Sequence, residues 1–490
     1  MPSEQTADAA AGEPRPPAIS RATLATPAGP LPYRAVAGYV PVVEPVLEAG
    51  RAAGRRTAAH VFTVAYLAEP APGGAVPDRP VIFAFNGGPG SSTMWLHLGL
   101  LGPRLVDAGD ADRPVAPPYA LRDNPDSPLA VADLVFLDPV GTGYSHVADG
   151  TPDDEFDGQT RDAECVAEAI RRWIADHDRW ASPRYLAGES YGTVRAVAVA
   201  DRLDVVHGLP VNGLLLLSPV LSGLGAPGPL GADLAHALRV PTYAAAAHWH
   251  GRHPGRPLDD VRAEAEEFAL GDYLTALARG NRLDAQGRRA VADRLAGLCG
   301  LTTDFVLQAG LRVGPGRFYA ELLRDRGLVV SRMDARFTGT DADARGELYA
   351  RDPGLFALLG PYASTFVRYA GAELGVREER PFQPFTVRQR PWTPRPQAEG
   401  GDSVLPELSR LLRSYPHLRV YVATGVYDGS TPYFASEWEL AHLTVPDDAL
   451  AAVERHEYPA GHMMYVHEPS RIAQSAHIRD FVARTRDGAP

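Results

Sequence analysis

The sequence predicts an α/β protein: a mostly parallel central sheet flanked by helices and interrupted by a helical insertion. Three observations predict it. Short apolar runs of strand character alternate with helical stretches through the first half of the chain, the pattern of strand–helix–strand units. The apolar run Arg184-Tyr185-Leu186-Ala187 passes through Gly188-Glu189-Ser190-Tyr191-Gly192 directly into a helical stretch over residues 193–203. Strand patterning then vanishes after Gly223 and returns over residues 418–424, so the sheet is interrupted there and not finished.

Taken in order, residues 1–30 are rich in Ala, Pro and Glu without periodicity and read as a disordered tail. Residues 31–223 read as the first part of the core. Within them, residues 35–84 carry three strands, the first two an antiparallel hairpin and the third entering the main sheet. Residues 132–137 make a further buried strand ending at Asp138, and residues 213–218 another. Residues 224–379 read as a mostly helical insertion. Residues 380–490 return to the core, through a Pro- and Arg-rich stretch at 380–397 that reads as a linker or surface loop.

Composition narrows the chemistry. Among 490 residues the hydrophobic fraction is 45%, suited to a globular core, and the net charge of −12 argues against nucleic acid or an anionic membrane as partner. There is no lysine, which excludes a Schiff base, a pyridoxal phosphate anchor and a Walker A loop. The two cysteines, Cys165 and Cys299, make no disulfide framework; two buried thiols are favoured over one bridge. The N-terminus has neither the basic region nor the apolar core of a signal peptide, and no run reaches the length of a membrane span, so the expected location is cytoplasmic.

A serine at a tight strand-to-helix turn flanked by glycines is the nucleophile elbow of the α/β-hydrolase fold. That fold carries its acid and then its histidine downstream, each on a loop leaving the sheet. Asp428 follows the strand at 418–424, and His462 sits in the Gly-flanked loop Tyr458-Pro459-Ala460-Gly461-His462-Met463. The reading is therefore that Ser190 attacks a carbonyl, His462 relays its proton and Asp428 orients the imidazole. Asp447 and Asp448 are weaker alternatives for the acid, lying in a turn. An oxyanion hole needs two N–H groups: Tyr191 follows the nucleophile, and Gly88 lies in the loop Asn86-Gly87-Gly88-Pro89-Gly90-Ser91-Ser92 after an earlier strand. His248, His250 and His253 lack a completing carboxylate or thiol, so no metal is expected, and no cofactor.

The blocks NGGPGSS (86–92), DPVGTGYS (138–145), GESYG (188–192) and GHM (461–463) resemble, in the same order, those of the serine carboxypeptidase family. The resemblance spans roughly residues 39–481 and looks like a cytoplasmic bacterial-type member. It implies the triad Ser190, Asp428 and His462 and the oxyanion hole of Gly88 and Tyr191. It also implies Asn86 and Glu189 as the seat of a substrate's terminal carboxylate. Two positions depart from the family pattern: Ser91 stands where many members have Cys, and Leu100 where many have a second Glu partnering the one in the elbow. One carboxyl then does what two usually share. The expected activity is release of C-terminal residues from peptides; acyl transfer or ester hydrolysis on a small acyl substrate is the alternative, using the same triad.

Overall fold

The computed structural model describes residues 16–48, 50–69, 79–225, 232–343, 346–386, 392–395 and 401–486. Its centre is a ten-stranded sheet. The strands that set its order are β1 (Ala18–Thr26), β2 (Gly29–Glu48), β3 (Arg51–Ala68), β4 (Val81–Phe85) and β5 (Asp133–Leu137), then β6 (Arg184–Glu189), β7 (Gly213–Leu217), β8 (Arg419–Gly425) and β9 (Val453–Tyr458). They lie in the order β1-β2-β3-β5-β4-β6-β7-β8-β9. From β5 to β9 every pairing is parallel, while β1, β2 and β3 join antiparallel at one edge.

The run of consecutive leucines in β7 shows why these strands are apolar throughout. Successive side chains point to opposite faces, so Leu214 and Leu216 enter one core layer and Leu215 and Leu217 the other. On the first face lie α1 (Gln159–Asp176) and α2 (Tyr191–His207), with the helix Leu405–Ser414 beside them. The second face is covered by residues 94–101 and by the helices Pro353–Ala372 and Glu468–Thr485. No described helix is long and apolar enough to cross a membrane.

Two expectations need correction. The tail expected over residues 1–30 does not extend past Pro17: Ala18–Thr26 is an edge strand, in register from Ala18 opposite Ala37 to Thr26 opposite Gly29. It is anchored by Leu24, 1% exposed, while most of its other side chains face solvent. Its partner is the exposed backbone edge of the long β2, which composition does not reveal. The rest of that tail, residues 1–15, lies outside the described residues.

The insertion expected over 224–379 also divides differently. Its own core runs from Ala237 to Ala335 and closes against Val426 and Tyr427. The helix Pro353–Ala372 instead rejoins the main sheet, packing Leu358, Tyr362, Phe366 and Tyr369 into the second face. An apolar helical pattern states how much surface is buried, not which body buries it.

The first face is dominated by Trp173 of α1, 1% exposed and edge-on to Phe83 of β4 at 5.4 Å. Trp173→Ala is expected to cost about 3–5 kcal/mol, measured by urea unfolding, with no change in the sheet signature of circular dichroism below the transition.

Candidate active site

The end of β6 turns sharply into α2 at Ser190, whose backbone sits at φ 62°, ψ −129°. A non-glycine residue holds such angles only where its surroundings enforce them. The Ser190 N–H donates to Leu217 O at 2.9 Å, and Ser190 O accepts from Thr193 N at 2.9 Å and Thr193 Oγ1 at 2.7 Å. A Cβ on Gly188 would lie 2.0 Å from Gly192 O, so the turn closes only with glycine there.

Asp428 lies in the loop after β8 and is 0% exposed. Its Oδ1 accepts from Ser430 N at 2.8 Å and Thr431 N at 2.9 Å; its Oδ2 accepts from Thr431 Oγ1 at 2.6 Å and from His462 Nδ1 at 2.8 Å. That bond fixes the His462 tautomer with the proton on Nδ1, leaving Nε2 as the acceptor. Burial works against protonating His462, but the charge and hydrogen bond of Asp428, aided by the Glu189 charge, hold its pKa above the ordinary imidazole value. Ser190 and His462 line one cavity of ≈ 410 Å³. Among the described residues the Ser190 hydroxyl makes no hydrogen bond, so the link from hydroxyl to imidazole is open while the link from imidazole to acid is closed. Such links commonly tighten only when substrate binds.

Gly88 and Tyr191 line the same cavity. The loop carrying Gly88 is pressed onto the elbow: a Cβ on Gly87 would lie 2.5 Å from Tyr191 N and 2.6 Å from Gly192 N. Arg195, just over one turn into α2, locks the two together. It is 1% exposed, pairs with Asp162 of α1 at 2.7 Å and donates to Asn86 O, with its guanidinium over the Tyr191 ring. The Asp138 block braces the other side of this loop, its carboxylate accepting from Thr93 N at 2.8 Å.

Glu189 and Asn86 also line the cavity. Glu189 is 4% exposed, and burial raises its carboxyl to about 7, against the opposing influence of His462. Its Oε2 has no hydrogen-bond partner among the described residues. Leu100, where the family pattern has a second Glu, is fully buried in the second-face core, and the phenols of Tyr362 and Tyr465 feel the Glu189 charge instead.

Several residues of the site were not read from the sequence. Thr431, Arg195 and the insertion segment Ser331–Asp334 are the main ones. Met333 O accepts from His462 N at 2.7 Å, Asp334 Oδ2 from Gly461 N at 3.1 Å, and Arg332 O from Gly429 N at 3.0 Å, so this segment clamps both the acid and histidine loops. Arg195 leaves a trace, as a lone charge inside the apolar run TVRAVAVA; the clamp leaves none, because it acts largely through backbone.

The stretch 380–397, expected as a linker or surface loop, is also corrected where described. Gln383 pairs with Gly143, Ser92 N donates to Pro384 O at 3.0 Å, and Phe385 lines the cavity. Proline-rich composition resembles that of a solvated loop, but here the backbone groups are satisfied by the neighbouring loops. Residues 387–391 and 396–397 of that stretch lie outside the described residues.

The rings of His248, His250 and His253 donate to the carbonyls of Arg256, Ala335 and Leu298 at 2.8, 2.7 and 2.8 Å. Among the described residues no cluster of three or more His, Cys, Asp or Glu is placed to hold a metal ion. Cys165 and Cys299 are both free and buried.

The fold and this constellation define a serine hydrolase of the α/β-hydrolase class. Residues 30–203, which contain the elbow and the Gly88 loop, match the family model for serine carboxypeptidases. In structure the chain is similar to a prohormone-processing carboxypeptidase from Saccharomyces cerevisiae, at 14% identity over 92% of this chain and 91% of that one, with a TM-score of 0.53. It also matches a proline iminopeptidase from Mycobacterium smegmatis at 14% identity, over 88% and 97% of the two chains, with a TM-score of 0.37. A comparison with curated proteins returned no match.

Asp428→Asn keeps the shape but reverses the tautomer that His462 must hold. Steady-state assays on any turned-over substrate are expected to show kcat down about 10³–10⁴-fold, with KM changed far less.

Proposed function

We propose that the chain releases C-terminal residues from peptides through a Ser190–His462–Asp428 triad, and that Glu189 with Asn86 seats the substrate's free terminal carboxylate. Ser190 Oγ attacks the scissile carbonyl carbon as His462 Nε2 takes its proton. The carbonyl oxygen becomes an oxyanion facing the N–H groups of Gly88 and Tyr191. Collapse expels the C-terminal residue as an amine, which receives the proton from His462. Water then attacks the acyl-serine, His462 again serving as base, and the shortened peptide leaves with Ser190 restored.

The observation that carries this reading is the buried Glu189 carboxyl beside the nucleophile, with an oxygen left unpartnered. A carboxyl held at about 7 is largely protonated in mild acid and donates a hydrogen bond to an anionic oxygen. Deprotonated, it repels that oxygen. Ester hydrolysis or acyl transfer is the second reading, favoured by Leu100, which leaves Glu189 without a second carboxyl to share its proton.

A fluorophosphonate probe is expected to label Ser190, with labelling lost in Ser190→Ala. Free-acid blocked dipeptides should be cleaved at least about tenfold faster, in kcat/KM, than their C-terminal amides, the contribution of one charge-assisted hydrogen bond. Equal turnover of amides or simple esters would favour the second reading.

The pH dependence follows from Glu189. As pH falls through about 7 the carboxyl gains its proton, so KM for free-acid peptides should fall while KM for amides stays flat. Glu189→Gln, a permanent neutral donor, should abolish this dependence; KM profiles between pH 5 and 8 give the comparison.

A further inference from the structure

Of the titratable side chains lining the active-site cavity, Glu189, Tyr191, His462 and Arg332, only Arg332 carries a permanent positive charge. Its backbone is held from both sides: Arg332 N donates to Asp352 Oδ2 at 2.7 Å and Arg332 O accepts from Gly429 N at 3.0 Å. The next residue, Met333, holds the histidine loop. The Arg332 Cα is therefore fixed relative to both Asp428 and His462, while its side chain is exposed to the cavity.

The guanidinium makes no ion pair among the described residues, whereas the buried Arg195 and Arg336 are paired with Asp162 and Asp334. The neighbouring carboxylate, Asp352, is already engaged by Ser331 Oγ, Arg332 N, Leu355 N and Tyr349 Oη, as the cap of the helix Pro353–Ala372. The walls around Arg332 are largely apolar, with Met333, Leu355, Phe385 and Trp95 lining the same cavity. The planar fork of five donors matches a carboxylate. In a chain of net charge −12, a cation lining the cavity that holds the nucleophile gives an acidic group a local reason to enter.

We propose that Arg332 is a specificity-determining residue that receives the side-chain carboxylate of an acidic residue flanking the scissile bond. This rests on the carboxypeptidase reading, in which Asn86 and Glu189 already seat the terminal carboxylate.

The test uses the full chain and blocked free-acid dipeptides in which Glu is placed before or after the scissile bond, each paired with its Gln isostere, beside the neutral Phe-Leu peptide. The wild-type chain is expected to prefer Glu over Gln by at least about tenfold in kcat/KM at one of the two positions. That position identifies which side of the bond Arg332 serves. Because each Glu/Gln ratio is taken within one preparation, it does not depend on how much of a variant is folded. Arg332→Gln should bring the ratio to near one, and Arg332→Glu should invert it and favour Lys-containing peptides. Cleavage of Phe-Leu with equal rates for Glu and Gln would overturn this proposal alone. So would an Arg332→Gln variant that weakens every free-acid peptide equally while sparing amides, since Arg332 would then seat the terminal carboxylate. No cleavage of any free-acid peptide, the neutral one included, would overturn the carboxypeptidase reading and this proposal with it.

Discussion

A carboxylate with no solvent exposure keeps its charge only if the protein supplies what water has lost, and Asp428 has Ser430 N, Thr431 N, Thr431 Oγ1 and His462 Nδ1 for that purpose. Removing such partners from a buried charge costs several kcal/mol. The requirement ties the loop after β8 to the loop after β9 and commits His462 to one tautomer. Much of the surrounding architecture keeps that bond in register with Ser190. The parallel sheet delivers three loops to one end, Arg195 fastens the elbow helix to the Gly88 loop, and the Ser331–Asp334 segment clamps the acid and histidine loops from the insertion side.

The elbow was legible because a strained turn demands a specific residue pattern: Ser190 at positive φ needs glycine at its flanks, and that need is written into five consecutive letters. Asp428 and His462 were legible through chain order and their positions after strands, which the parallel topology converts into nearness. What was illegible shares a physical character. The clamp through Met333 O and Arg332 O uses backbone atoms that every residue possesses. The strand Ala18–Thr26 is stabilised mainly by pairing with β2, so its own composition is uninformative. The helix Pro353–Ala372 is apolar enough to belong to either body, and only the aromatic neighbours it meets, such as Trp95 and His97, decide the matter. Thr431 is an ordinary residue in an ordinary turn until its hydroxyl is seen on Asp428.

The cavity combines opposite electrostatic characters. Burial favours the neutral form of Glu189, while His462 is drawn toward its charged form by Asp428, and the two influence one another. Protonation events at such neighbours belong to the pair and not to either residue alone. When Glu189 gains a proton, one of the charges that favour imidazolium at His462 disappears, which moves His462 toward the neutral form a general base requires. Protonation of Glu189 and the charge state of the base are thus linked, a coupling that arises because Glu189 immediately precedes the nucleophile.

The proposed mechanism requires hydroxyl, imidazole and acid to act in one line, although the link from hydroxyl to imidazole is open in the structure. A crystal structure of the chain phosphonylated at Ser190 tests it most directly. The account predicts a phosphonyl oxygen about 3 Å from both Gly88 N and Tyr191 N, with His462 Nε2 in hydrogen-bond reach of an adduct oxygen and its Nδ1 still on Asp428. An adduct whose oxygen points to solvent, or a His462 ring turned away from it while Asp428 keeps other partners, would contradict the account.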